Sequence, residues 1–252
     1  MKQLQLSEEE LERIKRIPRF TKGQTVLAGK AFYFIDSASF LSSYKEIGNR
    51  EFYRFESQNE SPRILDCGAN IGLSTIFFKK LHPKARITCF EADAGIVCTL
   101  NQNLKSFGFT EVEVQELALW DTKGEISFFP DGADGGRIGV NSRTAESIKV
   151  KTDILSSYLQ SEVDLLKIDI EGAEIAVLKE CSDHLHNVNS LFVEYHCKKN
   201  DEINLSSLIA ILEENGFRFY IEPGTKILHP FVHHHCNNEM EILLNIFAYK
   251  TS

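Results

Sequence analysis

Arg63-Ile64-Leu65-Asp66-Cys67-Gly68-Ala69-Asn70-Ile71-Gly72-Leu73-Ser74 is the stretch that decides the fold. A short apolar run ends in an acid, a loop with two glycines follows, and a helix-forming stretch begins at once. The pattern is that of a buried strand turning tightly into a helix. Without a Cβ, Gly68 lets a ligand approach the backbone at the carboxyl end of the strand, where ligands of open α/β sheets lie. Gly72 lets the following helix pack closely on the sheet. Asn70 stands where a third glycine would serve, and Asn is among the few other residues that tolerate left-handed backbone. Ala69 completes the ligand-facing loop. Asp66, at the strand tip, offers a carboxylate to a cationic ligand group, directly or through water.

Outward from this unit the chain alternates strands and helices. Strands are predicted over 63–66, 86–91, 111–117, 164–169 and 190–195, and helices over 72–81, 95–107, 171–181 and 205–215. Residues 217–221 and 241–250 read as two strands with no helix between them, an antiparallel hairpin that finishes the sheet. The expected fold is therefore α/β, a mostly parallel, doubly wound sheet covered on both faces. The second strand ends in Glu91, followed by Ala92. There a carboxylate can accept from both hydroxyls of a nucleoside ribose. At the third strand's end, Leu117 and the backbone amide near Ala118 would flank the base, and Trp120 is expected in the core. The glycines are spaced G-x-x-x-G with an acid two residues before the first, not G-x-G-x-x-G. A phosphate-free cationic cofactor suits that spacing better than a dinucleotide, whose pyrophosphate needs a helix N-terminus.

Residues 1–61 form an N-terminal extension, and residues 62–252 the cofactor-binding domain. Ser7 and Glu10 make a capping box for a first helix that Pro18 ends. Residues 24–36 suggest a hairpin and 38–55 an aromatic-rich helix; the rings of this segment either cover the core, the favoured reading, or cap an acceptor-binding site. The net charge of -8 argues against nucleic acid or an anionic membrane as partner. No apolar run reaches the roughly 20 residues of a membrane span. The N-terminus carries no apolar signal core, and the six cysteines form no CxxC pair. A cytoplasmic chain with reduced thiols is expected. Nothing in the sequence assigns an oligomeric state.

The stretches DCGANIGLST (66–75), FEAD (90–93), ALWDTKGEISF (118–128), VKTDILSSYL (150–159) and above all DLLKIDIEGAEIAVL (164–178) resemble the FkbM family of methyltransferases. The likeness runs from about Val26 to the C-terminus. It implies a class I methyltransferase (Rossmann-like) fold with a seven-stranded sheet. It also implies S-adenosylmethionine as cofactor, and O-methylation of a hydroxyl on a sugar, glycan or polyketide-type small molecule. In such a fold the fourth strand neighbours the first. It brings Lys167, Asp169 and Glu171 to the carboxyl edge, and the next strand adds Glu194 and His196. A base should take the proton of an alcohol nucleophile. His196 and Glu171 rank first, with Asp169 and Glu194 behind them and Lys167 offsetting the negative charge. A divalent metal orienting the hydroxyl is a less favoured option, and no metal ligands are assigned. An NAD-dependent oxidoreductase is the rival enzyme class, and a non-catalytic S-adenosylmethionine-binding protein the rival outside enzymes. The run His233-His234-His235-Cys236, with His229, reads as a loop at the substrate mouth, and 131–136 as a hairpin tip that could act as a lid.

Overall fold

The computed structural model describes residues 4–130, 136–138, 147–198, 202–224, 227–229, 231–232 and 240–250. Helix α1 (Glu8–Lys15) opens on Ser7, whose hydroxyl accepts from the Glu10 N–H at 3.2 Å. Strands β1 (Gly23–Leu27) and β2 (Lys30–Phe34) form the expected antiparallel hairpin. Helix α2 (Ser37–Ser43), capped by Asp36, runs into a wide π-helical turn at Tyr44–Asn49 instead of continuing to residue 55. Glu51 then takes a positive φ of 50°, which turns Phe52 and Tyr53 inward. Their rings meet Phe192 of the central sheet at 5.5 and 4.8 Å between centroids, edge to face, a favourable aromatic geometry. The extension thus contributes to the core of the sheet, as its aromatic content predicts.

From Arg63 the chain runs β3 (Arg63–Cys67), α3 (Leu73–Leu81), β4 (Arg86–Glu91), α4 (Ala94–Phe107), β5 (Glu113–Glu116), β6 (Ala118–Leu119), β7 (Gly124–Phe129), β8 (Arg137–Ile138), β9 (Ile148–Asp153), β10 (Val163–Ile168), α5 (Glu174–Cys181), β11 (Val188–Lys198), α6 (Leu205–Glu214), β12 (Arg218–Pro223) and β13 (Met240–Tyr249). The central sheet has seven strands in the order β12-β13-β11-β10-β3-β4-β5. All pairs are parallel except those made by β13, which inserts antiparallel between β11 and β12. The predicted terminal hairpin exists, and its reversed strand lies inside the sheet. Every residue of β10 is buried, as a strand with helices over both faces must be. One apolar cluster packs α3, α4 and the extension on one face; another packs α5 and α6 on the other.

Two departures have local causes. Helix α5 starts at Glu174 and not at 171, because Glu171 (φ 59°) and Gly172 (φ 105°) are both left-handed. A second sheet, β6-β9-β7-β8, grows from the end of β5 and stands beside the carboxyl edge. Trp120 is half-buried there, not in the core. Of the expected hairpin tip at 131–136 only Gly136 is among the described residues, and of the His-rich run only His229 is.

Candidate active site

A cavity of about 410 Å³ opens along the carboxyl ends of β3, β4, β10 and β11, within the usual range for small-molecule sites. Gly68, Ala69, Asn70 and Ile71 form its floor. Glu91, Ala92, Leu117, Ala118 and Leu119 line one end, and Lys167, Asp169, Glu171, Glu194 and His196 the other. Of the site residues expected from sequence, Asp66 and Gly72 alone do not line it.

Asn70 is left-handed at φ 47°, as its place in the loop requires. Its N–H donates to Glu91 Oε2 at 3.0 Å, while the Asp93 N–H donates to Oε1 at 3.0 Å. One carboxylate thereby ties the first loop to the second strand. Each oxygen keeps a lone pair for another donor. Burial pushes the Glu91 carboxyl up to about 7, against the pull of these N–H groups.

The two glycines act differently from expectation. A Cβ on Gly68 (φ 78°) would lie 1.8 Å from the Asp169 carbonyl oxygen. The constraint comes from the end of β10 pressing on the loop, before any ligand approach. Gly72 faces Leu100 of α4, whose Cδ1 would be 2.5 Å from an added Cβ, so the close packing is helix on helix. Asp66 lies behind the cavity and not on its surface. Its side chain is fully buried, and Oδ2 accepts from Ser74 and Thr75 hydroxyls at 2.7 Å each. It sits behind the loop, with Oδ1 3.4 Å from Lys167 Nζ.

Lys167, 2% exposed, ties these layers together. Its Nζ donates to the Gly68 carbonyl at 2.9 Å and lies 3.3 Å from Asp169 Oδ2. Burial would lower its pKa, but Asp169 and Asp66 outweigh it and hold the ammonium charged. It positions the loop and balances charge, which fits the offsetting role expected of it.

At the acidic end, His196 Nδ1 lies 3.0 Å from Glu174 Oε1, and its Nε2 faces Glu171 at 3.5 Å and Glu194 at 3.7 Å. Glu174 is 1% exposed and accepts from the Ile170 and Gly172 N–H groups. It fixes the imidazole from behind, as an orienting carboxylate does in a catalytic triad. Burial, which would lower the His196 pKa, is outweighed by Glu174, Glu171 and Glu194, so it lies well above the ordinary value. Burial pushes Glu171 up to about 7. Burial and then the charge of Asp169 push Glu194 well up; Asp169, hydrogen-bonded to it, is held low by Lys167 and His196 against its own burial. The cluster brings together all five residues expected on this side. Ligand atoms of Asp169, Glu171 and His196 lie within 4.8 Å of one another.

Sequence reasoning offers an acceptor-binding cap in the extension only as the alternative to core cover, and does not name the residues that build this wall. Ser42, Ser43, Glu46, Ile47 and Tyr53 line the cavity. Burial and the Asp169 charge raise the Glu46 carboxyl. The departure of 44–49 from an ordinary helix is a signal of the kind that accompanies functional sites. Phe128 and Ile138 of the small sheet, and Gly136 just before β8, also border the cavity.

Comparisons with known proteins give the family and the fold. A family model described as the methyltransferase FkbM domain matches residues 66–219, a narrower span than the likeness from Val26 onward. The 2-O-methyltransferase NoeI of Sinorhizobium fredii is 26% identical over 159 residues, 55% of this chain and 65% of its own. The hexuronic acid methyltransferase AglP of Haloferax volcanii is 28% identical over 144 residues, 56% of this chain and 59% of its own. The crystal structure of M. jannaschii TYW2 in complex with AdoMet superposes with a TM-score of 0.51 at 15% identity, covering 93% of this chain and 89% of that one; at this identity the likeness shows the fold. No helix among the described residues is long and apolar enough to cross a membrane.

Proposed function

Because the chain belongs to the FkbM methyltransferase family, we propose that it moves the methyl group of S-adenosylmethionine onto a hydroxyl oxygen of a sugar-type acceptor. The observation that carries this reading is the Glu91 carboxylate, braced by two backbone N–H groups at the tip of β4 with lone pairs left for the cavity. That is the acceptor a ribose diol needs. Ile96, Leu117, Ala118 and Leu119 supply an apolar slot for an adenine ring beside it. Loop residues Gly68–Ile71 would carry the amino-acid end, with Asp66 acting on it only through Lys167 and the loop. Bound there, the cofactor supplies an electrophilic methyl group on a sulfonium.

The chain's own part is placement and proton handling. Holding an oxygen in line at near-attack distance accounts for much of such a rate. The carboxylates of Asp169, Glu171 and Glu194 can orient an acceptor hydroxyl and receive its proton. Ser42, Ser43 and Glu46 offer further hydrogen bonds to a polyhydroxylated molecule. The naming of AglP for a hexuronic acid supports a carbohydrate acceptor.

The test is calorimetric titration with S-adenosylhomocysteine and with NADH, followed by isotope-labelled methyl transfer to a panel of glycosides and aliphatic alcohols. We expect binding of the first ligand only, with label in glycosides at a hydroxyl. Binding of NADH alone would return the oxidoreductase reading. S-adenosylhomocysteine binding with no transfer to any hydroxyl would leave a binding protein.

A further inference from the structure

Building on the reading of this cavity as a methyl-transfer site, we propose that Asp169, Glu171 and His196 hold a divalent first-row cation at its acceptor end. Their ligand atoms lie within 4.8 Å of one another. Ligands around one such ion sit about 3 Å apart when adjacent and about 4.2 Å when opposite, so small side-chain rotations would close the set.

Three observations separate this cluster from an ordinary patch of acids. First, His196 is 7% exposed, and its Nε2 points into the cluster. Its nearest oxygens there, at 3.5 and 3.7 Å, are too far for a good hydrogen bond. Second, the other ring nitrogen is fixed by Glu174, which is itself pinned by two backbone N–H groups. A carboxylate behind the ring, with the other ring nitrogen facing the site, is the arrangement that metal-ligating histidines almost always show, and an ion would take the place of the Nε2 proton. Third, Glu171 keeps a left-handed φ of 59°, which costs energy for a residue with a Cβ. That turn is what carries its carboxylate back beside the imidazole.

Charge points the same way. Asp169, Glu171, Glu174 and Glu194 converge on His196, while the buried ammonium of Lys167 beside them is already shared between Asp66 and Asp169. Two carboxylates and one imidazole leave coordination positions for water and an acceptor hydroxyl. A mixed oxygen and nitrogen set suits Mn²⁺ or a later first-row ion better than Mg²⁺. Such an ion would orient the hydroxyl and lower its pKa.

The full chain, stripped of metal with a chelator, is titrated with Mn²⁺ alone. Binding is followed by the electron paramagnetic resonance signal of the free ion and by calorimetry. We expect one ion per chain and affinity at least tenfold weaker in Glu171→Gln and in Asp169→Asn. Glu174→Gln should weaken it by about ten- to a hundredfold, while Glu91→Gln leaves it unchanged. Circular dichroism confirms that each variant is folded, and Glu171, in a turn and only half-buried, is the variant least apt to disturb the core. Absence of saturable Mn²⁺ binding, or equal affinity in the Glu171 and Asp169 variants, overturns the proposal. S-adenosylhomocysteine titration of the same samples keeps the two ideas apart. A chain that binds S-adenosylhomocysteine but no Mn²⁺ refutes the cation only. One that binds Mn²⁺ at this cluster but not S-adenosylhomocysteine supports the cation and refutes the methyl-donor reading.

Discussion

Gly68→Ala and Gly108→Ala form a matched pair that measures how tightly β10 presses on the first loop. The two glycines have nearly the same backbone, φ 78° and 80°, so alanine suffers the same left-handed strain at both, about 1 kcal/mol. At Gly108, which ends α4, nothing lies within 4 Å of the added Cβ, and that strain is the whole effect. At Gly68 the Cβ would stand 1.8 Å from the Asp169 carbonyl oxygen. Reaching ordinary contact near 3.4 Å requires a retreat of about 1.6 Å. That retreat breaks the Asp169 N–H bond to the Cys67 carbonyl, now 3.1 Å. Overpacking of this kind costs about 1–3 kcal/mol and a lost backbone hydrogen bond about 1. We therefore expect about 3–5 kcal/mol for Gly68→Ala against about 1 for Gly108→Ala, read as stability from guanidinium unfolding. Because the shifted loop is the cavity floor, S-adenosylhomocysteine affinity should fall at least tenfold in the first variant and hold in the second. Equal destabilisation of the two, or unchanged affinity in Gly68→Ala, would refute the claim that backbone contact with Asp169 is what demands glycine.

Other perturbations follow from the same geometry. With the Glu91 carboxyl at about 7 in the free protein, only its ionised form accepts two hydroxyls. S-adenosylhomocysteine affinity should be flat above that pH and fall tenfold per unit below it; a calorimetric pH series in which Glu91→Gln keeps the same slope would contradict the assignment. Glu46→Gln should raise the acceptor KM several-fold and leave S-adenosylhomocysteine affinity within a factor of two; the reverse pattern would move Glu46 to the cofactor side. Asp36 caps α2 and accepts from the Phe20 and Ser39 N–H groups and from Arg19. Burial pushes its carboxyl up, but these donors prevail and hold it at about 2, below the usual 3.8. Its depressed pKa means a contribution present above 3.8 and lost as pH falls toward 2. Asp36→Ala should cost about 2 kcal/mol at neutral pH, with the difference from wild type narrowing in acid; a pH-independent difference would show that the charge is irrelevant.

Features that follow from a residue's own backbone or chemical preference were legible, and those that depend on which partner a side chain finds, near or far in sequence, were not. Asn70 could be read because left-handed tolerance is a property of the residue and its loop. Glu91 could be read because a strand tip after a βα unit has one place to go in such a sheet. The reversed strand β13 was visible as a strand without a preceding helix, but its insertion between β11 and β12 depends on pairing that only the folded sheet specifies. Helix α5 was placed three residues early because the left-handed turn at Glu171 is held by Glu174 through the Ile170 and Gly172 N–H groups, a contact the i,i+3 spacing hints at without requiring. Glu46 reaches the cavity through a π-helical turn that no hydrophobic period encodes. Asp66 is the instructive case. An acid at the tip of a first strand reads as a ligand contact as long as its own hydrogen bonds are unknown. Ser74 and Thr75, in the first turn of the helix that follows, are the hydroxyl pair that occupies it. Ser74 closes the twelve-residue stretch that decides the fold and Thr75 follows it directly. A carboxylate on the buried face of a strand, followed by two hydroxyls at the start of the next helix, is better read as a brace for the loop between them, and the search for ligand contacts then moves outward to the loop backbone and to Glu91.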